Sequence, residues 1–470
     1  MSSPGAPAAS RLPFYNIVSF ASLGIPTAVS GLVLGVFLNR YYAAMPALGL
    51  AAAGGVFTLV RVIDVFVDPF LAAFIDRTKT PIGRFRPWIF LAIPVLVLGI
   101  WRLYMPPENV DALYLGTWLL VISLGGSLFA LSQAAWAANL AAGYSDRARV
   151  FGWLQAIAVV TLVVVLLLGV ITKGEINLAQ PSGLAWIGGV LMIAVPVIYL
   201  IGGFLTPDRG GAAPTQATQK FALSDYLQAF KRPDMLRIIL ADLVLTLGPG
   251  MTAPIYLFFF HDAKGFDFNV TATLLIFYIG AGIFGSPFWA WVARKVGKHR
   301  MIQIACVAYG VSQTILMVIP KGMYLPTAAF MFVVGFCASG FLIGIRAMVA
   351  DISDVVRLEE GKDLTTMLYS LVTTTTKIGG SITNGIAYGI LALVGYQAQA
   401  EAVNTPQAIF GLEMVYLFAP IILVFVGGAM LLGYKLDEKK HTEVRAALEA
   451  KDLANREAAL QQSEVIETVV

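Results

Sequence analysis

The sequence predicts an all-α membrane protein, with twelve transmembrane helices arranged as two pseudo-symmetric bundles of six. Three observations carry this. Of 470 residues, 58% are hydrophobic and only 13% charged, too little charge to coat a soluble protein of that size. Apolar runs of roughly 20 residues, the length that spans a bilayer, recur twelve times. The longest internal polar stretch, 207–234, divides those runs into six and six.

Taken in order, the runs lie at roughly 14–38, 47–76, 87–105, 113–141, 151–172, 184–206, 235–260, 269–294, 300–319, 325–353, 367–396 and 408–434. Gly and Pro occur within several, as transmembrane helices tolerate. The expected units are a first bundle (1–206), a linker (207–234), a second bundle (235–434) and a tail (435–470). The linker begins as a flexible segment and ends in FALSDYLQAFKRP, which reads as a short interfacial helix. The tail is charged with both signs and reads as a solvated helix. The N-terminus has no signal-peptide pattern, so the first run is expected to serve as an uncleaved anchor.

Loop charge sets the expected orientation. Arg77, Lys79, Arg84 and Arg86 follow the second run, and Arg294, Lys295, Lys298 and Arg300 follow the eighth. Loops of the opposite parity offer Arg40, Lys173 and Lys321. Both termini are therefore expected in the cytoplasm of a cell with a plasma (bacterial inner) membrane. The two basic segments, FIDRTKTPIGRFRPW and WVARKVGKHRM, sit at equivalent places in the two halves, a trace of an internal repeat.

Topology accounts for the net charge of +4, so no nucleic-acid partner is expected; the bilayer and a small-molecule substrate are. Cys306 and Cys337 read as free, buried thiols. No Walker A, GxSxG, HExxH or Cys/His cluster occurs, and the three histidines lie in loops or the tail. Neither an enzyme nor a cofactor is expected, and no metal beyond a coupling ion.

The chemistry concentrates on the second run. Arg61, Asp64 and Asp68 share one helical face within an otherwise apolar segment. Two carboxylates four residues apart have Cβ atoms about 6 Å apart. Away from water they must bind a proton, share a cation such as Na⁺, or act as anchors of ion pairs. Lys377 in the eleventh run needs a carboxylate, and is expected on Asp64 or Asp68 across the two halves unless it snorkels to an interface. Thr373, one turn earlier, offers a hydroxyl beside it. Asp351 and Asp354, at the end of the tenth run, are candidates to pair with Arg147 and Arg149 as a cytoplasmic gate, or are ordinary end-of-helix charges. Asp242 and Arg346 could line a cavity. Tyr15, Trp136, Tyr256, Tyr369 and Tyr388 could stack on a sugar ring or an apolar ligand.

Asp64-x-x-x-Asp68-Pro69, the loop DRTKTPIGRFRPW, ADISD and LYSLVTTTTKIGG together resemble the glycoside–pentoside–hexuronide:cation symporters, the melibiose-permease group of the major facilitator superfamily. The resemblance spans nearly the whole twelve-helix region. It implies a monomer in which Asp64 and Asp68 bind the coupling Na⁺, Li⁺ or H⁺, Lys377 centres the polar network, and Arg61 accompanies the first acid. Departures concern the sugar clamp. The first run has no acid, Ser132 and Gln133 stand where the fourth helix carries one, Gln155 is nearest to a missing arginine, and Val67 replaces an asparagine. Weakening a clamp of charged, bidentate bonds leaves the substrate open between a glycoside and a lysolipid-like amphiphile, which related vertebrate sodium symporters carry. A non-transporting sensor on the same fold is a further alternative.

Overall fold

A computed structural model of the protein describes residues 13–451 and 453, apart from 46, 79, 109, 141–143, 173–175, 179, 208–230, 362–363, 400–401, 435 and 437–439. Helices occupy every place where an apolar run was expected. They are α1 (Phe14–Ala43), α2 (Gly49–Arg77), α3 (Arg86–Tyr104), α4 (Ala112–Leu140), α5 (Tyr144–Ile171) and α6 (Pro181–Leu205) in the first half. The second half holds α7 (Pro233–Ala263), α8 (Phe268–Val296), α9 (Lys298–Val318), α10 (Tyr324–Glu360), α11 (Thr365–Leu393) and α12 (Pro406–Met430).

Among the described residues, ten of these are long and apolar enough to cross a membrane. The apolar stretch described in α5, Gly152–Leu168, is bounded by residues whose side chains lie outside the described ones. In α11, four consecutive threonines run into Lys377, which costs the helix its hydropathy and places polar groups in the interior. The interfacial helix expected at the end of the linker falls almost wholly outside the described residues.

Within the first half, α3 packs against α4 and α6, and α2 against α4. Within the second, α8 packs against α10, α7 against α11 and α12, and α9 against α10 and α12. The halves meet along α2–α11 and α5–α8. Exchanging the halves turns each of these two contacts into the other, as a repeat-built fold requires.

Helix α2 shows how sequence sets orientation. Phe66, Phe70 and Phe74 form an exposed stripe at four-residue spacing, while Asp64 and Asp68 on the other side are 9% and 8% exposed. One face meets lipid and the other the protein interior. Close approach of α2 to α11 depends on small residues: a Cβ on Gly54 would lie 2.9 Å from the Tyr388 Cβ, and one on Gly385 would lie 2.5 Å from the Thr58 hydroxyl. The backbone of each helix packs directly on a side chain of the other there because neither position has a side chain of its own.

The pseudo-symmetric helices α1 and α7 both turn π-helical toward the same end, over Val33–Leu38 and Phe259–Ala263. Such widened turns redirect side chains and recur at functional positions. Helix α1 is also broken around Gly24, ahead of Pro26, which lacks an N–H to continue the ladder. Beyond α12, a helix over 440–451 folds back onto the second half and buries Leu448. The tail therefore docks here, where full solvation was expected.

Candidate functional site

A cavity of about 630 Å³ lies between the halves, walled by α1, α2, α3, α4, α7 and α11. Its charged groups are Arg61, Asp64 and Lys377, and its hydroxyls include Ser123, Ser127 and Thr376. Its apolar lining, on the same helices α2 and α4 and on α3, includes Phe57, Val60, Leu96, Leu119 and Ile122.

Asp68 and Lys377 form an ion pair from α2 to α11, the ammonium donating to Asp68 Oδ2. The two aspartates have different surroundings. Asp64 Oδ1 accepts a 2.9 Å hydrogen bond from Ser127 of α4. Asp68 Oδ1 is buried with no hydrogen-bond partner. Pro69 cannot donate to the carbonyl four residues earlier, so the Val65 oxygen also loses its helical partner. Carboxylate, hydroxyl and carbonyl oxygens thus lie along one stretch of α2, the kinds of donor a hard cation takes. Among the described residues no cluster of three or more His, Cys, Asp or Glu could hold a transition metal.

Several expected residues lie elsewhere. Thr373 is exposed and its hydroxyl donates to the Tyr369 carbonyl of its own helix, so the polar neighbour of Lys377 on the cavity wall is Thr376. Tyr369 donates to the Arg346 carbonyl, tying α11 to α10. Trp136 is 1% exposed, packs on Phe20 and Phe85, and donates to the Pro207 carbonyl. Its ring is a structural wedge at the end of α4 and does not reach the cavity. Gln133 is half-buried against Gly24 at the break in α1, with an Nε2 lacking a partner. Tyr256 and Tyr388 are buried, their hydroxyls spent on the Thr271 and Pro254 carbonyls. Tyr15 is exposed at the start of α1. The stacking expected of these rings has no place in the cavity: aromatic bodies were recruited for packing.

The pairing expected of Asp351 and Asp354 with Arg147 and Arg149 is not seen among the described residues, where both acids meet other groups. Asp351 pairs with Lys298 at 2.5 Å and with His441 of the tail helix at 3.2 Å. His441 also reaches Asp354 at 3.0 Å. Both partners belong to the second half and tail. Arg149 is half-buried on α5, and the Arg147 side chain lies outside the described residues. Asp242 is 3% exposed on α7, where it accepts a 2.8 Å hydrogen bond from Thr376, and Arg346 is exposed on α10.

The largest feature missed by reading the sequence is the seal at the π-helical end. The Arg40 guanidinium of the first half lies 3.7 Å from the Phe268 ring centroid and 5.3 Å from that of Phe258 in the second. Beside it Asp262 accepts from His261 at 2.5 Å and from Tyr396. Asn39 donates to Asn384 at 3.3 Å across the halves, and the Gly385 N–H donates to Thr58 at 2.9 Å. Arg40 and the His261-Asp262 pair end equivalent helices of the two repeats, the one signal that could have revealed them.

This fold and cavity define a membrane transporter of the major facilitator type. The solved nucleoside transporter NupG superposes with a TM-score of 0.65 at 15% identity, covering 89% of this chain and 98% of that one. A bacterial homologue of the lysosomal transporter Spinster, in an inward-facing conformation, superposes with 0.64 at 13%, covering 90% and 98%. The chain belongs to the MFS/sugar transport protein family, whose sequence pattern matches residues 19–438, and within it to the glycoside–pentoside–hexuronide symporters. It is 24% identical to the isoprimeverose transporter of Lactiplantibacillus pentosus, covering 94% of this chain and 92% of the relative. It is 25% identical to the glucuronide carrier protein homolog of Escherichia coli (87% and 90%). To the sodium-dependent lysophosphatidylcholine symporter 1 of Xenopus tropicalis it is 22% identical (97% and 94%).

Proposed function

We propose that the protein is a secondary active symporter that uses a Na⁺ or H⁺ gradient to move a small glycoside or other sugar-like solute by alternating access. The observation that carries this reading is the Asp68–Lys377 ion pair, which joins the two halves beside a cavity wide enough for such a solute. A cation drawn to the oxygens around Asp64 and Asp68 competes with the Lys377 ammonium, so ion binding and the contact between halves are linked, and each biases the other. Arg61 offers donors to solute oxygens, and the hydroxyls of Thr27 and Ser381 on the cavity wall, which donate to the Gly24 and Lys377 carbonyls, offer acceptors to solute hydroxyls. The chain works as a monomer in a plasma (bacterial inner) membrane, with both termini in the cytoplasm as the loop charges require. The sealed end then faces outward and the cavity belongs to an inward-facing state.

The apolar lining supports a second reading, symport of a lysolipid-like amphiphile. Proteoliposomes separate the two. With an inward Na⁺ or pH gradient, accumulation of a labelled xyloside or glucuronide supports the sugar reading. Accumulation of lysophosphatidylcholine alone supports the second, and uptake indifferent to both gradients contradicts ion coupling.

A further inference from the structure

Asp242 is a buried carboxylate that the proposed transport cycle does not use. It sits on α7, 3% exposed, and among the described residues its one direct hydrogen-bond donor is the Thr376 hydroxyl at 2.8 Å. Arg346 of α10 acts on it electrostatically. Among the described residues no cation lies within ion-pair distance. A carboxylate this deep with only a hydroxyl partner is incompletely compensated.

The complementary need arises one residue further along α11. Lys377 now pairs with Asp68. When a cation occupies Asp64 and Asp68, the ammonium, whose side chain is 45% exposed to the cavity, loses its counter-charge within the bilayer span, and a second carboxylate offsets that loss. Thr376 and Lys377 are adjacent, with Cα atoms about 3.8 Å apart. Consecutive side chains on a helix diverge by about 100°, so reaching Asp242 requires the flexible four-carbon stem of Lys377 to swing across that angle toward α7. Helix α11 thus carries, at consecutive positions, a side chain held by α7 of its own half and one held by α2 of the other.

We propose that Asp242 is the second counter-ion of Lys377. Resting on the reading of Asp64 and Asp68 as the coupling-ion site, the ammonium passes from Asp68 to Asp242 when the ion binds, displacing the Thr376 hydroxyl. The exchange frees the first half from the second at mid-membrane and keeps the lysine neutralised. It makes Asp242 a positioning residue for ion coupling with no contact to the ion itself.

The test is the ion dependence of the thermal midpoint of the purified full chain, titrated with NaCl at constant ionic strength in choline chloride and, separately, with acid in choline chloride alone. Asp242→Asn should raise the half-saturating ion concentration by about tenfold, an ordinary size for coupling between sites. Asp242→Glu, which keeps the charge, should restore most of the affinity. Thr376→Val removes the competing donor and should tighten ion binding, a gain that a merely structural role cannot produce. In a Lys377→Ala background, Asp242→Asn should change nothing further. Wild-type ion affinity in Asp242→Asn, or an equal loss in the Lys377→Ala background, overturns the proposal. Should Asp242→Asn fail to fold, unchanged or weaker ion binding in Thr376→Val overturns it instead. A wild type indifferent to both ions overturns the coupling reading itself, and the exchange with it.

Discussion

The two ends of the contact between the halves use different chemistry. At the π-helical end, Gly54 and Gly385 let α2 and α11 touch backbone to side chain, and Arg40 lies across Phe268 and Phe258 beside Asp262. Below Lys377, toward the termini, Ser370, Thr373 and Thr374 of α11 and Arg346 of α10 are exposed. One end is close-packed, the other polar and open. Close packing is hard to undo in small steps, so the sealed end behaves as a two-position element. The Asp68–Lys377 pair lies between the two ends, where an ion can tip the balance.

The comparison can be broken most severely at Gly54. Gly54→Val should jam the seal, since even a Cβ meets Tyr388 at 2.9 Å and the Asn384 carbonyl at 3.1 Å. Overpacking of this kind costs about 1–3 kcal/mol, so transport in proteoliposomes should fall at least tenfold. An Asn384→Cys reporter should also label faster with an impermeant thiol reagent from that side. Lys377→Ala comes next. It leaves Asp68 without its cation and should abolish ion-dependent uptake while the folded protein still reaches the membrane.

Arg40→Ala tests the seal more gently. Losing a cation–π contact worth about 0.5–2 kcal/mol should raise labelling of Asn384→Cys several-fold, with uptake reduced but present. The smallest effect is expected at the opposite end. His441→Ala should release the tail helix, read as faster proteolysis after 440, while uptake stays near the unmodified rate because partly exposed pairs contribute roughly 1 kcal/mol or less.

What could be read from the sequence followed from periodicity and from the cost of charge in lipid. The twelve runs, Asp64, Asp68 and Lys377 were legible because each is an exception, or the absence of one, within apolar sequence. The partner of Lys377 stayed open between two acids one turn apart, since register across α2 and α11 is set by Gly54 and Gly385, whose role appears only once the helices are paired. Trp136 and Tyr369 were misplaced for a general reason: aromatic residues look alike in sequence whether they face a cavity or fill a wedge. Ser127 was invisible because serine in a transmembrane helix is common and carries no periodic signal. The Arg40 and Asp262 seal and the His441 dock both join residues more than eighty positions apart, and nothing local announces either.

The most direct measurement is the thermal midpoint of the wild type and of Asp68→Asn, each in NaCl and in equimolar choline chloride, and each over a range of pH in choline. An ion that binds only the folded state at a hundredfold above its dissociation constant adds about 2.7 kcal/mol of stability. The wild-type midpoint should rise with one of the two ions, and that of Asp68→Asn should not move. An equal response in both proteins would place the ion elsewhere and contradict the assignment of Asp64 and Asp68 as the coupling site.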